Sequence, residues 1–273
     1  MLSALVGDMR TAGDDPRWTI VLPYYNEEAY IGRTIAAAIA QRGPAFRLVL
    51  VDNASTDGTE ALCRDLLAVE PQIEVEHVFE PQPGPSHALK AGFDRVRTPF
   101  VSLWNADTWY PPDYLARAEA MLARPGVVAA MAIDLAHGPL CVAGVLRRYQ
   151  KRIASLIMRR QAHTGTFGQC FRTSVLREAG GPRSEAWPWV LDDHELMQRV
   201  LKLGRSSYSA DFWCMPSTRR GACAHVRWTL AERLLYHLTP FRLKDWFFYR
   251  FLWRRFAVRD MGTANLRIRD WRS

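Results

Sequence analysis

Short apolar runs alternate with stretches of helical period through the first hundred residues. The runs Trp18 to Pro23, Arg47 to Asp52, Glu74 to Phe79 and Phe100 to Trp104 are rich in β-branched and aromatic residues, and predict strands. Between the first two, Ile31, Ile35, Ala38 and Ile39 recur at helical spacing until Gly43-Pro44 ends the helix. Ser55 or Asp57 is expected to cap a second helix running to about Leu67, and Ser86 a third running to about Val96. Strands that alternate with helices predict an α/β fold, a mostly parallel sheet covered by helices.

The second half is less regular. The pattern predicts a helix over Asp113 to Ala123, a strand over Val127 to Ile133, and a basic helix over Arg147 to Arg160 with Ile153, Leu156 and Ile157 on one side. Leu196, Val200 and Leu203 predict a helix over Asp192 to Leu203, which places Asp192 and Asp193 in its first turn, where the helix dipole favours negative charge.

Composition narrows the class. The chain has 273 residues, 48% hydrophobic and 23% charged, as an ordinary globular protein does. Its longest apolar stretch, Val127 to Leu146, is broken by Asp134 and His137 and so predicts no membrane span. The first residues lack a basic stretch before their apolar positions, and a cytoplasmic location is expected. Five scattered cysteines without a CxxC pair argue against a disulfide framework or a zinc site.

The formal charge is +8, and residues 241–273 hold nine Arg or Lys against three Asp, so most of the excess lies in the tail. An anionic partner is implied. Arg250/Arg254 and Arg255/Arg259 are spaced four apart beside Trp246, Phe247, Phe251 and Trp253, a pattern that suits an interfacial helix on anionic lipid or a helix packed on the domain or a second copy. The aromatics are too dense for an exposed nucleic-acid groove, and no nucleic-acid partner is expected.

Four segments occur in one order: VLPYYNEE from Val21, VDNASTDGT from Val51, WNADT from Trp104 and LDDHEL from Leu191. Together they resemble the family 2 glycosyltransferases, inverting enzymes of the GT-A fold that move a sugar from a nucleotide to an acceptor. The resemblance spans about residues 18–212. It implies that Pro23, Tyr25, Asn26 and Glu27 meet the nucleotide, with Tyr25 stacking on the base and Asp52 accepting a hydrogen bond from uracil. Asn53 stands where a second Asp is usual. Lys90, in the Gly84 to Gly92 stretch, is either a nucleotide contact or a solvated helix lysine. Asn105, Ala106 and Asp107 replace the family's Asp-x-Asp, which leaves Asp107 to ligate a Mn2+ or Mg2+ ion.

The same resemblance assigns further residues. The family often has a His after its last sheet strand; matching that strand to Tyr208 to Asp211 puts Met215-Pro216 in its place, and His225 substitutes if the loop folds back. Arg219 and Arg220, in that loop, suit phosphate oxygens or solvent. Asp193 is implied to take the proton from the acceptor hydroxyl with Asp192 beside it, although two acids at a helix start need no chemistry. Trp187 and Trp189 are a sugar-stacking face, a wall for lipid, or core.

The expected layout is a nucleotide-sugar half over residues 1–110, an acceptor half of the same domain over 111–230 and a helical tail over 231–273. The expected activity is transfer from a UDP-sugar to a membrane lipid or lipid-linked glycan, with peripheral contact on the inner face of an anionic membrane. A nucleotidyltransferase and a catalytically degenerate binding protein are the alternatives.

Overall fold

The structure, a computed structural model, describes residues 15–136, 138–157, 163–183, 185–218 and 229–263. Its centre is an eight-stranded sheet in the order β3-β2-β1-β4-β7-β6-β8-β5. The strands are β1 (Trp18–Tyr24), β2 (Phe46–Asp52), β3 (Glu74–Phe79), β4 (Phe100–Leu103), β5 (Thr108–Trp109), β6 (Val127–Asp134), β7 (Gln169–Arg172) and β8 (Arg205–Pro216). The first four run parallel; β7 is antiparallel to both β4 and β6, while β8 runs parallel to β6.

Both faces are covered. The helices are α1 (Glu28–Ile39), α2 (Thr59–Ala68), α3 (Pro85–Phe93), α4 (Tyr114–Leu122), α5 (Val142–Ile157), α6 (Thr173–Glu178), α7 (Asp192–Val200) and α8 (Leu230–Leu238). Strand alternation divides β1 between two layers: Ile20, Leu22 and Tyr24 pack with Ile31 and Ile35 of α1 and Tyr114 of α4, whereas Val21 packs with Leu89 of α3 and Met197 of α7. Burial on both faces explains why β1 and β2 read as continuous apolar runs rather than alternating ones.

Several boundaries differ from the sequence expectation. Helix α3 starts at Pro85, behind Gly84 with φ 128°, so Ser86 is a first-turn residue and not the cap. Asp57, not Ser55, serves the start of α2, accepting the N–H of Thr59 at 3.1 Å. Helix α5 begins at Val142, five residues before the expected Arg147. Strand β8 runs on to Pro216: Met131 pairs with Tyr208 but Ile133 with Trp213, so a bulge absorbs the extra residues of β8.

After α8, a 3-10 turn (Phe241–Leu243) leads into a tail helix whose middle, Phe247–Leu252, is π-helical. Phe247, Phe248, Leu252 and Phe256 are fully buried against Trp187, Val190 and Tyr236. This decides between alternatives that the sequence left open at two places, against the sugar-stacking or lipid-wall role for Trp187 and against the interfacial face for the tail aromatics. Trp187, 1% exposed, is a core residue whose ring meets Phe248 edge-on and whose indole N–H donates to the carbonyl of Val190, so it offers no face to a sugar. The tail's aromatic face packs on the domain because Phe247 lies inside, leaving only Trp246 of the four expected aromatics as an exposed large one.

Candidate functional site

The carboxyl ends of β1, β2 and β4 converge on one edge of the sheet, the place where open α/β sheets bind ligands. There β1 delivers Tyr24 into the core and leaves Tyr25 partly exposed beyond it, next to the partly exposed Pro23. Asn26 adopts φ 51° and its Oδ1 accepts the N–H of Thr56 at 2.8 Å, joining the loop after β1 to that after β2. Glu27 is buried, and its N–H donates to Thr59 Oγ1 at 2.9 Å. Asp52 Oδ1 accepts the N–H of Ser55 at 2.9 Å, so this carboxylate shapes its own turn while sitting at the strand end.

Asn53 has a task no Asp can perform. Its Nδ2 donates to the carbonyls of Glu80 and Gln82 at 2.9 and 2.7 Å, and its Oδ1 accepts the N–H of Gly84 at 3.1 Å. The N-terminus of α3 is thereby fixed from the end of β2. One turn of helix then carries the link onward, for Ser86 Oγ donates to Asp192 Oδ2 at 2.8 Å. The strand-end groups and the acid pair are thus joined through a single helix start.

The acid pair opens α7 behind Leu191, which is held at φ 66°. Of the four non-glycine residues with positive φ among the described residues, Asn26, Ala54 and Leu191 lie in these loops, as strained backbone does at functional sites. Both oxygens of Asp192 are occupied, Oδ2 by Ser86 and Oδ1 by the N–H of Asp193. Burial, and then the charge of Asp193, push its carboxyl up to about 6. For Asp193 burial also acts upward, but the charge and hydrogen bond of His194, with His163 behind it, bring its carboxyl down to about 2. His194 Nδ1 lies 2.8 Å from Asp193 Oδ1, and the rings of His163 and His194 meet edge to face at 4.0 Å.

Helix α7 is held in place from two sides. Glu195, 1% exposed, takes a two-pronged grip from Arg199 at 2.7 and 2.9 Å and the hydroxyl of Tyr249 from the tail. Arg199 in turn donates to the carbonyls of Ala179 and Gly181. His163 and Tyr249 carried no motif of their own, whereas Glu195 lies in LDDHEL. Ser86 gave its signal as an apparent cap.

Asn105 and Asp107 are partly exposed and Ala106 is buried, directly after β4; the N–H of Asn105 donates to the hydroxyl of Tyr110, and the N–H of Ser217 donates to the carbonyl of Asp107 at 3.0 Å. The chain therefore leaves β8 beside Asp107; Arg219, Arg220 and His225 lie outside the described residues. Since β8 extends to Pro216, Met215-Pro216 is still strand. The ammonium of Lys90 pairs with Asp94 at 2.9 Å, which raises its pKa, and it lines an open cleft of about 640 Å3 with Arg177 and Arg183. Trp189 is partly buried, edge-on to Trp253 at 5.5 Å, and bridges to Gly262.

Among the described residues the donors of His163, Asp193 and His194 are the one set of three that lies within 4.8 Å of one another. Its two imidazoles suit borderline ions better than magnesium, and the Asp193–His194 hydrogen bond together with the His163–His194 ring contact accounts for the cluster. Oxygen donors at Asn105 and Asp107 fit a hard divalent ion instead.

These features define a nucleotide-sugar transferase fold. The family model described as Glycosyl transferase family 2 matches residues 19–180, more than half of the chain, which therefore belongs to that family. Among curated proteins the chain is similar to the undecaprenyl-phosphate 4-deoxy-4-formamido-L-arabinose transferases of Aeromonas hydrophila (32% identical over 117 residues, 41% of this chain and 36% of the relative) and of Shewanella sediminis (31% over 151 residues, 52% and 42%). The matches thus span less than half the length of these relatives. Among solved structures it resembles the mannosyltransferase PcManGT from Pyrobaculum calidifontis in complex with GDP-Man and Mn2+, with TM-score 0.67, 25% identity and coverage of 85% of this chain and 65% of that one. It also shares the fold of S. aureus TarS, with TM-score 0.59, 16% identity and coverage of 88% and 72%. The architecture is the expected GT-A fold, a mixed, mostly parallel sheet flanked by helices with a helical C-terminal region.

Proposed function

We propose that the chain is an inverting glycosyltransferase that moves a sugar from a nucleotide sugar, by the position of Asp52 a UDP-sugar, onto a lipid-phosphate or lipid-linked glycan acceptor at the inner face of a membrane. The observation that carries this reading is the run of contacts from Asn53 through Gly84 and Ser86 to Asp192, which couples the strand-end edge to the acid pair. The undecaprenyl-phosphate transferases support the lipid acceptor, and the Mn2+ complex of the mannosyltransferase supports a divalent ion. Asp107, with Asn105, would hold Mn2+ or Mg2+, which neutralises charge on the departing diphosphate.

In this reading Tyr25 and Asp52 receive the base, and Pro23, Asn26, Glu27 and Ala106 shape the floor beneath it. Asp193 accepts the proton of the acceptor hydroxyl as the sugar moves, because Asp192 is engaged through both oxygens while Asp193 Oδ2 has no hydrogen bond among the described residues. His194 orients Asp193 and keeps it ionised. Residues 1–110 serve the donor and 111–230 the acceptor.

The test is a thermal-shift screen of nucleotide sugars with and without manganese on wild type and Asp107→Ala. A UDP-sugar that stabilises wild type only with the ion, and leaves the variant unchanged, supports the assignment. Equal stabilisation of chelator-treated protein or of the variant removes the metal role, and donor binding without any turnover leaves a binding protein of the same fold.

A further inference from the structure

Two helices are built with their polarity reversed. A surface helix normally turns its apolar stripe inward and its charges outward. Helix α5 does the opposite: Arg147 and Lys151 turn toward the sheet and pair with Asp134 at the end of β6, at 2.6 and 3.5 Å. Val142, Val145, Tyr149 and Ile153, at helical spacing, are left between 43% and 84% exposed. In α8 the inward residues include Glu232, fully buried and gripped by Arg255 and Arg259 at 2.6 Å each, while Leu230, Leu234 and Leu238 are 58–82% exposed. Ion pairs thus hold both helices down, and the apolar stripes face out.

Basic residues predominate beside these stripes, the exposed Asp245 being paired with Lys202 and Asp260 closing the tail helix. Helix α5 holds four basic residues and no acid. The one acid of α8 is neutralised inside the fold, while Arg233, Arg242, Arg250 and Arg254 of the same region are exposed. Apolar side chains flanked by exposed arginines in excess of acids match the acyl boundary and headgroups of an anionic bilayer. Both helices also reach the acid pair: Lys151 Nζ lies 3.5 Å from the carbonyl of His163, whose ring touches His194, and the ring of Tyr236 in α8 lies 5.8 Å from His194.

We propose that α5 and α8 form an anionic-membrane docking surface that flanks the acid pair and presents it to an acceptor carried by the bilayer. This places the contact on helices other than the tail, whose aromatics are spent on the core. Its functional meaning rests on the lipid acceptor proposed above; the surface itself stands on the two helices.

The experiment is vesicle co-sedimentation of the full chain with phosphatidylcholine alone and with added phosphatidylglycerol, alongside donor binding by thermal shift. The variants are Val145→Glu/Tyr149→Glu on α5 and Leu234→Glu/Leu238→Glu on α8. All four positions are exposed, so wild-type melting temperatures are expected. Binding that requires phosphatidylglycerol, weakens with salt and falls about tenfold or more in each variant supports the surface. Unchanged binding in the variants, equal binding to neutral vesicles, or no vesicle binding with an intact dimer that the variants turn into monomer overturns it; the last assigns the stripes to a second copy. Donor binding without vesicle binding sinks the surface and spares the transferase reading. Vesicle binding without donor binding does the reverse.

Discussion

At the residue scale the site is a set of polar side chains whose partners fix their roles. Asn53 is the clearest case. Asn53→Asp would face a carboxylate toward the carbonyls of Glu80 and Gln82, and a cost of about 1–3 kcal/mol is expected in denaturant unfolding. Asp192 and Asp193 are driven apart in acidity, with opposite consequences for stability. Asp192, raised to about 6, favours folding in acid, and that contribution is lost as pH rises through about 4 to 6. Asp193, lowered to about 2, stabilises above about pH 4 and loses this as pH falls toward 2. Asp192→Asn should therefore melt higher than wild type near neutral pH, with the gain vanishing toward about pH 4. A melting temperature equal to or below wild type at neutral pH would show that Asp192 is not strained by its burial.

At the element scale, helix α7 is positioned by Glu195, Arg199 and Tyr249. Glu195→Ala leaves a nearly buried guanidinium without its carboxylate and should cost about 3–5 kcal/mol, whereas Tyr249→Phe removes one hydrogen bond and should cost about 1 kcal/mol; urea unfolding separates the two. The elements were legible where their residues bury on both faces, so that β2, buried along its whole length from Phe46 to Asp52, was expected to within one residue. They were less legible where long-range contacts decide. Ser86 has the chemistry of a cap but is drawn to Asp192, 106 positions away, and Pro85 takes the start of α3 because its fixed φ suits a first turn. Helix α5 starts before its arginines, and that start was not legible because its leading Val142, Val145 and Leu146 face solvent and show no inward stripe.

At the scale of the whole molecule, the tail is part of the domain that it follows. Trp187 and the fully buried Phe247, Phe248, Leu252 and Phe256 close a core of their own, so deletion from Phe241 should lower the melting temperature of the entire chain rather than release an intact domain. A truncated protein with wild-type melting and donor binding would contradict this. Motif order made the strand-end groups and the acid pair readable, because each follows a strand or opens a helix in sequence. The histidine beneath Asp193 was not readable: His194 adjoins it, but His163 arrives across 30 residues and only the fold brings its ring to 4.0 Å. The most direct test of the central claim is turnover of Asp193→Asn beside wild type, with the anomeric configuration of the product read by NMR. Direct displacement with Asp193 as base predicts inverted product, near-normal donor binding in the variant and a loss of about 10² to 10⁴ in rate; retained configuration, or wild-type turnover by Asp193→Asn, contradicts it.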